Sequence, residues 1–132
     1  MQSEKEKLWT YDRFEVGKVF STIDLVMDED RRSKWVNVFG ATSDRLPRGM
    51  MMTAMMEAYI LAIQPRPDGN VHASQELKFT GEAAQWGDRL SITVMIADKE
   101  IRKERNWVRF GVTAKVGRNT VMTGTIRSIW AA

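Results

Sequence analysis

The distribution of apolar side chains sets one long segment apart from the rest of the chain. Residues 50–63 (MMMTAMMEAYILAI) are apolar at nearly every position and contain neither proline nor glycine. Methionine, alanine and leucine favour a helix, and a helix that is apolar on nearly all sides is buried rather than placed on a surface. The pattern therefore predicts a central helix that is covered on most sides by the rest of the chain.

The chain before this helix carries the signals of a second, more polar helix. Asp28 is a plausible N-cap for a helix over residues 28–39, because acidic residues follow it and Trp35 opens an apolar set at helical spacing. Gly40 is expected to end that helix. Residues 11–21 predict a loop that turns at Gly17 and leads into a short strand.

After residue 70 the apolar positions recur with a period of two, which is typical of strands. Four strands are predicted, at residues 71–79, 90–96, 107–116 and 121–130. Glycine-containing turns separate them, and the turn at residues 117–119 predicts a hairpin. Short connections favour an antiparallel sheet. The pattern thus predicts one α+β domain over residues 1–132, with an antiparallel sheet wrapped around the apolar helix.

Charge and composition narrow the classes of partner. The chain has 20 Lys and Arg against 17 Asp and Glu, a net charge of +3, and no block of like charges, so nucleic acid is not expected as a partner. No cysteine and only one histidine are present, so neither a metal nor another cofactor is predicted. The start of the chain lacks the apolar core of a signal peptide, and no segment is long enough to span a bilayer. We expect a cytoplasmic protein that does not bind membranes.

Four segments carry a resemblance to a known family, in the same order and with similar spacing. They are residues 11–17 (YDRFEVG), 48–54 (RGMMMTA), 74–79 (SQELKF) and 85–90 (QWGDRL). Together they resemble motifs of the hotdog fold, and within it of the MaoC-like (R)-specific enoyl-CoA hydratases and dehydratases. The resemblance implies that an antiparallel sheet surrounds the central helix and that the substrate is an acyl thioester.

The segment that holds the catalytic residues of that family is shortened here. In residues 41–47 (ATSDRLP), Asp44 and Pro47 match the aspartate and proline of the family motif, whereas Leu46 replaces its asparagine. The family's catalytic histidine has no counterpart. The resemblance implies that Asp44 is a catalytic base, and it leaves the usual Asp/His activation of water incomplete.

Three residues near the start of the central helix are candidates for chemistry at a carbonyl group. Asp44 could activate water or remove a proton next to a thioester carbonyl, although loop aspartates also serve as caps or in turns. The amides of Gly49 and Met50 could polarise that carbonyl, as the resemblance implies. The alternative is that Gly49 serves a turn or close packing.

Two further candidates lie on the central helix and on the first predicted strand after it. Glu57 is the acidic residue of the apolar helix, with Thr53 one turn earlier on the same face. Desolvation there would raise its pKa and suit a general acid or base, unless it pairs with an arginine. His72 shares a predicted strand face with Ser74 and could replace the missing histidine, although an isolated histidine is more often structural.

The same region contains candidate binding residues. Arg45 and Arg48 could contact a phosphate of a coenzyme A or carrier-protein arm, or could simply be solvated. A group of methionines could line a groove for an acyl chain, or could fill the core. These methionines are Met50, Met51, Met52, Met55 and Met56.

These observations predict a lyase-like enzyme acting on an acyl thioester or a related enolisable carbonyl compound, by hydration, dehydration, proton transfer or cyclisation. Asp44 would be its base. One alternative is a hotdog thioesterase in which Glu57 or Asp44 activates water. Another is a non-catalytic subunit that completes a homologous hydratase. In each case we expect a homodimer or a higher oligomer with the pocket at the interface.

Overall fold

The computed structural model describes residues 8–132. A short 3-10 turn at Tyr11–Arg13 is followed by one strand, two helices and then four strands. The helices are α1 (Glu29–Phe39) and α2 (Arg48–Ala62). The strands are β1 (Val19–Val26), β2 (Val71–Phe79), β3 (Arg89–Arg102), β4 (Arg105–Val116) and β5 (Asn119–Trp130).

The strands form one sheet in the order β1-β3-β4-β5-β2, and every neighbouring pair is antiparallel. β3, β4 and β5 follow one another through two tight hairpins, so they occupy the centre of the sheet. β1 and β2 form its two edges. The α+β architecture predicted from the sequence is confirmed.

One face of the sheet packs on α2, which contacts β1, β3 and β4. The sheet supplies its alternate apolar side chains to this core, as the period of two predicts. β5 crosses α2 so closely that a Cβ atom on Gly124 would lie 2.7 Å from the sulfur of Met55. A larger residue at position 124 would therefore displace the buried Met55 side chain.

The burial of α2 is less complete than the sequence predicts. The side facing the sheet is buried, but Met52, Ile60 and Leu61 are 39%, 48% and 52% exposed on the other side. α1 covers only part of this side and buries none of its own residues. An apolar strip of the central helix thus remains open to solvent in the single chain.

Local signals set most of the element boundaries as predicted. The carboxylate of Asp28 accepts a hydrogen bond from the amide of Arg31, and Gly40 ends α1 at a φ of 89°. β3 is longer than predicted, because a bulge after Ile96 shifts the alternation and the strand continues through charged residues. None of the helices in residues 8–132 combines the length and apolar character needed to cross a lipid bilayer.

Candidate functional site

The loop that precedes α2 is anchored to the segment that leads into β3. The amide of Leu46 donates to the carbonyl of Ala84 at 2.8 Å, and the amide of Trp86 donates to the carbonyl of Asp44 at 2.9 Å. These bonds bracket the loop on both sides of Arg45. The backbone around Asp44 is therefore fixed, although the loop has no regular secondary structure of its own.

The carboxylate of Asp44 projects from this fixed loop into solvent, with its side chain 88% exposed. Its charged neighbour is Arg32 of α1, whose Nη2 lies 3.4 Å from Asp44 Oδ1. The same nitrogen lies 3.5 Å from the carbonyl oxygens of Thr42 and Ser43. Pro47, rather than Asp44, occupies the N-cap position of α2. Asp44 is thus an accessible carboxylate that Arg32 orients, and it does not cap the helix.

Gly49 lies in the first turn of α2, against α1. A Cβ atom at this position would approach the Trp35 ring to 3.0 Å, so glycine allows a closer contact between the two helices than another residue would. Within residues 8–132 its amide has no hydrogen-bond acceptor. The amide of Met50, by contrast, donates to the carbonyl of Pro47 at 3.0 Å. The prediction that the Met50 amide helps to polarise a carbonyl is wrong for this reason, and of these two amides only that of Gly49 lacks an acceptor within the described residues.

Glu57 is held by a bidentate contact with Arg31 of α1. The two guanidinium nitrogens donate to the two carboxylate oxygens at 2.8 and 3.0 Å. This hydrogen bonding lowers the pKa of Glu57 and outweighs the opposing effect of burial. The alternative that the sequence left open for Glu57, pairing with an arginine, is therefore the one found, and the rise in pKa expected from desolvation does not occur. The contact ties α1 to α2. Thr53 is exposed on the preceding turn, and its hydroxyl donates to the carbonyl of Gly49.

His72 and Ser74 lie on opposite faces of β2, contrary to the prediction. A bulge between them inserts an extra residue, so that His72 pairs with the buried Ser128 while Ser74 pairs with Arg127 on the outer face. The imidazole Nε2 hydrogen-bonds the side-chain oxygen of Gln75. His72 therefore faces α2, and no contact joins it to Asp44 within the described part of the chain.

The methionines of α2 mostly fill the core. Three of them are buried against the sheet, Met56 is half-buried, and Met52 is the most exposed. The sulfur of Met52 lies 4.0 Å from the amide nitrogen of Gln75 on β2. Only this side of α2 is open to an acyl chain. The three buried methionines are Met50, Met51 and Met55.

The arginines of α1 are functional candidates that the sequence analysis missed. Arg31 and Arg32 are adjacent in sequence, and each binds one of the two candidate carboxylates, Glu57 and Asp44. The sequence feature that could have indicated them is the pair of consecutive arginines that follows the acidic first turn of α1. Within residues 8–132, no three or more side chains of the types that bind metals are grouped so that they could share an ion.

Comparisons with known proteins were made by sequence and by structure. No family model matches the sequence, and no curated protein matches it. The fluoroacetyl-CoA thioesterase FlK superposes with a TM-score of 0.67 at 21% identity, covering 88% of this chain and 87% of its own. A monoamine oxidase regulatory protein from Archaeoglobus fulgius superposes with a TM-score of 0.70 at 10% identity, with coverages of 93% and 94%.

A hot-dog-like protein from Thermanaerovibrio acidaminovorans gives a TM-score of 0.67 at 19% identity, covering 90% of this chain and 84% of its own. At these identities the similarity concerns the fold and not the activity. The order β1-β3-β4-β5-β2 around a central helix agrees with it. The chain has the hotdog fold.

Proposed function

We propose that this protein hydrolyses an acyl thioester at the amino end of α2, with Asp44 as the general base. The observation that carries the proposal is the environment of Asp44. An accessible carboxylate is oriented by Arg32 on a fixed loop, five residues before a helix amide that has no acceptor within the described residues. Arg32 and Trp35 lie one turn apart on α1 and contact Asp44 and Gly49 respectively, so the base and the free amide border the same helix.

The proposed reaction needs one base and one hydrogen-bond donor. The Asp44 carboxylate takes a proton from water as the oxygen attacks the thioester carbon. The amide of Gly49 donates to the carbonyl oxygen while negative charge develops there. The carbon–sulfur bond then breaks, and the sulfur leaves as a thiol after receiving the proton held by Asp44. Water and thioester are thus converted to a carboxylic acid and a thiol.

Glu57 is a weaker candidate for the base. Both of its oxygens accept hydrogen bonds from Arg31, and its lowered pKa reduces its affinity for a proton. A general base works best when its pKa lies near the working pH. We therefore assign Glu57 to the connection between the two helices.

Hydration or dehydration is the second candidate function. Such a reaction needs an acid as well as a base, and His72 could supply the acid because the bulge in β2 turns it towards α2. Within one chain, however, His72 contacts Gln75 and Tyr59 rather than Asp44. Hydrolysis requires fewer groups and is therefore the better supported reaction.

A second copy of the chain would cover the surfaces that α2 and β2 leave open. β2 is an edge strand of nine residues with most side chains exposed, and it contains no proline that would block pairing. Such edges are usually protected or paired. The exposed Met52, Ile60 and Leu61 on α2 add an apolar surface. We propose a homodimer that joins these surfaces and encloses the substrate.

The dimer is tested by multi-angle light scattering of the purified chain at micromolar concentration. We expect twice the mass of one chain for the wild type. Leu61→Glu introduces a charge into the proposed interface and should shift the mass towards one chain, whereas Val38→Glu on the exposed face of α1 should not. A wild-type protein that remains a single chain would contradict the proposed interface.

The catalytic proposal is tested by Asp44→Asn, which keeps the size of the side chain and removes the base. We expect kcat for thiol release from acyl-coenzyme A substrates to fall by roughly 10²- to 10⁴-fold, the usual contribution of a general base. Asp68→Asn, in the exposed turn after α2, is the control and should retain full activity.

The same reactions should be followed for loss of a carbon–carbon double bond from enoyl substrates. Double-bond consumption without thiol release would replace hydrolysis by hydration. Full thiol release by Asp44→Asn would remove Asp44 from the mechanism. Binding of thioesters with no turnover, alone or with a homologous hydratase, would support a non-catalytic subunit instead.

A further inference from the structure

Two arginines follow Asp44, one in the loop and one at the start of α2. Arg45 and Arg48 flank a surface depression of about 430 Å³, which continues along the loop before α2. Neither forms an ion pair within residues 8–132, whereas Arg31 and Arg32 on the neighbouring helix are both paired. The loop thus presents positive charge at the position where the substrate would enter. The other lining residues are Thr42, Ser43, Leu46 and Pro47.

Both arginines are held in place more firmly than ordinary surface arginines. The backbone of Arg45 forms an isolated antiparallel bridge with Gln85. Arg48 begins α2, and its guanidinium lies 4.7 Å from the centre of the Phe79 ring on β2. Stacking on an aromatic ring limits the motion of a guanidinium and leaves its edge free to donate hydrogen bonds. The guanidinium of Arg48 and the backbone of Arg45 are therefore held in place, and the Arg45 side chain extends from that fixed backbone.

The acidic groups nearby do not neutralise this charge. Asp44 already faces Arg32, and Glu82 lines a smaller depression next to Arg45 and Arg48 without forming an ion pair with either. A negatively charged ligand could therefore form ion pairs with Arg45 and Arg48. Arginine is suited to this because its planar donors match the geometry of carboxylate and phosphate groups.

We propose that Arg45 and Arg48 form an anion subsite that recognises a negatively charged group on the thioester substrate. The shared chemistry is a carboxylate or phosphate oxygen that accepts hydrogen bonds from both guanidiniums. Its source is either a carboxylate at the end of the acyl chain or the phosphates of the carrier arm. The placement of this subsite next to the reacting carbonyl rests on the proposed function.

Four substrates distinguish the two sources of the anion. Butyryl and succinyl groups differ in a terminal carboxylate, and each can be attached to coenzyme A or to N-acetylcysteamine, which lacks the phosphates. The variant Arg45→Gln/Arg48→Gln removes both charges. Arg118→Gln/Lys115→Gln removes two exposed charges at the β4–β5 hairpin and serves as the matched control.

We expect the Arg45/Arg48 variant to lose roughly 10- to 100-fold in kcat/KM for the anionic substrates, the usual effect of losing charged hydrogen bonds. If kcat/KM falls for the succinyl substrates on both carriers and not for the butyryl substrates, the subsite binds the acyl carboxylate. If kcat/KM falls for both coenzyme A substrates and not for the N-acetylcysteamine substrates, the subsite binds the carrier phosphates. An equal loss for all four substrates, or no loss, would overturn the proposal.

A binding measurement tests the anion subsite independently of the proposed catalytic activity. Titration calorimetry with coenzyme A and with succinate requires no turnover. The subsite predicts that at least one of them binds the wild type and the control, and that the Arg45/Arg48 variant binds it roughly tenfold more weakly or not at all. If neither probe binds the wild type, or if the variant binds as well as the wild type, the subsite is wrong even where thioester hydrolysis is observed.

Discussion

The two ends of α2 differ in where their polar groups find partners. At the carboxyl end, Arg66 donates to the carbonyls of Ile63 and Tyr59 at 2.9 and 2.8 Å and stacks on the Tyr59 ring. The Tyr59 hydroxyl shares a hydrogen bond with the buried Ser128. At the amino end, Arg45 and the amide of Gly49 have no such partners within the described residues. The carboxyl end is built for stability, and the amino end leaves its donors available to a ligand.

The aromatic packing near the carboxyl end should give the largest effect on stability. Trp130 is 1% exposed, packs against Phe14 and Phe110, and donates to the carbonyl of Trp9 at 2.6 Å. Trp130→Ala should lower the free energy of unfolding by about 3–5 kcal/mol, because it leaves a cavity and an unpaired carbonyl. Chemical denaturation measures this.

The half-buried Trp107 on the outer face of the sheet provides the control for that variant. Trp107→Ala should cost clearly less than Trp130→Ala, since its ring is covered by Arg102 and Arg127 side chains rather than by the core. Equal losses of unfolding free energy for the two variants would contradict the conclusion that the packing near the carboxyl end of α2 stabilises the fold.

A pair of arginine variants compares the two ends directly. Arg66→Gln removes the charged donor of two helix carbonyls and should lower the free energy of unfolding by about 1–3 kcal/mol. Arg45→Gln removes a charge that forms no ion pair within residues 8–132, and it should change the free energy of unfolding by less than about 0.5 kcal/mol. Thermal and urea denaturation of both variants at pH 7 provide the measurement, and a larger loss for Arg45→Gln would reverse the comparison.

A smaller loss of stability than that of Arg66→Gln is expected for the ion pair in the middle of α2. The bond from Arg31 holds the pKa of Glu57 lower in the folded than in the unfolded chain. The unfolded chain therefore takes up the proton first as the pH falls, and the stabilisation is present above about pH 4 and lost below it. The side chain is 36% exposed, so solvent screening limits the contribution to at most about 1 kcal/mol.

Glu57→Gln isolates this contribution when the free energy of unfolding is followed from pH 7 to pH 2. The difference between wild type and variant should be present at pH 7 and should disappear at low pH. A difference that grows as the pH falls would mean that the pKa of Glu57 is raised rather than lowered.

The fold could be predicted from the sequence because its signals are local. The cap at Asp28, the stop at Gly40 and the period of two after residue 70 each act over a few residues, and the structure confirms them. The face of His72 could not be predicted in this way. The bulge that turns it depends on how β2 pairs with β5, some fifty residues further along the chain.

The roles of Asp44 and Gly49 in a site stay predictions, and the electrostatics around the two carboxylates could not be read from the sequence. Asp44 and Gly49 lie together at the start of α2, but the arginines that control the two carboxylates come from α1. Nothing in the local pattern indicates that Arg31 reaches Glu57, because that contact depends on how the two helices pack. The sequence left arginine pairing open as the alternative to desolvation for Glu57, but only the packing of the two helices identifies the partner and with it the lowered pKa.

The strand order also has a consequence for how the chain folds. β3, β4 and β5 are consecutive hairpins, so their pairing closes only short loops and costs little chain entropy. β1 and β2 pair with residues far along the chain, as Ile23 does with Ile92 and Leu77 with Gly124. We expect the three central strands to form first and the edges to join last. In native-state hydrogen exchange, β2, which we assign to the dimer, should therefore open before the centre of the sheet.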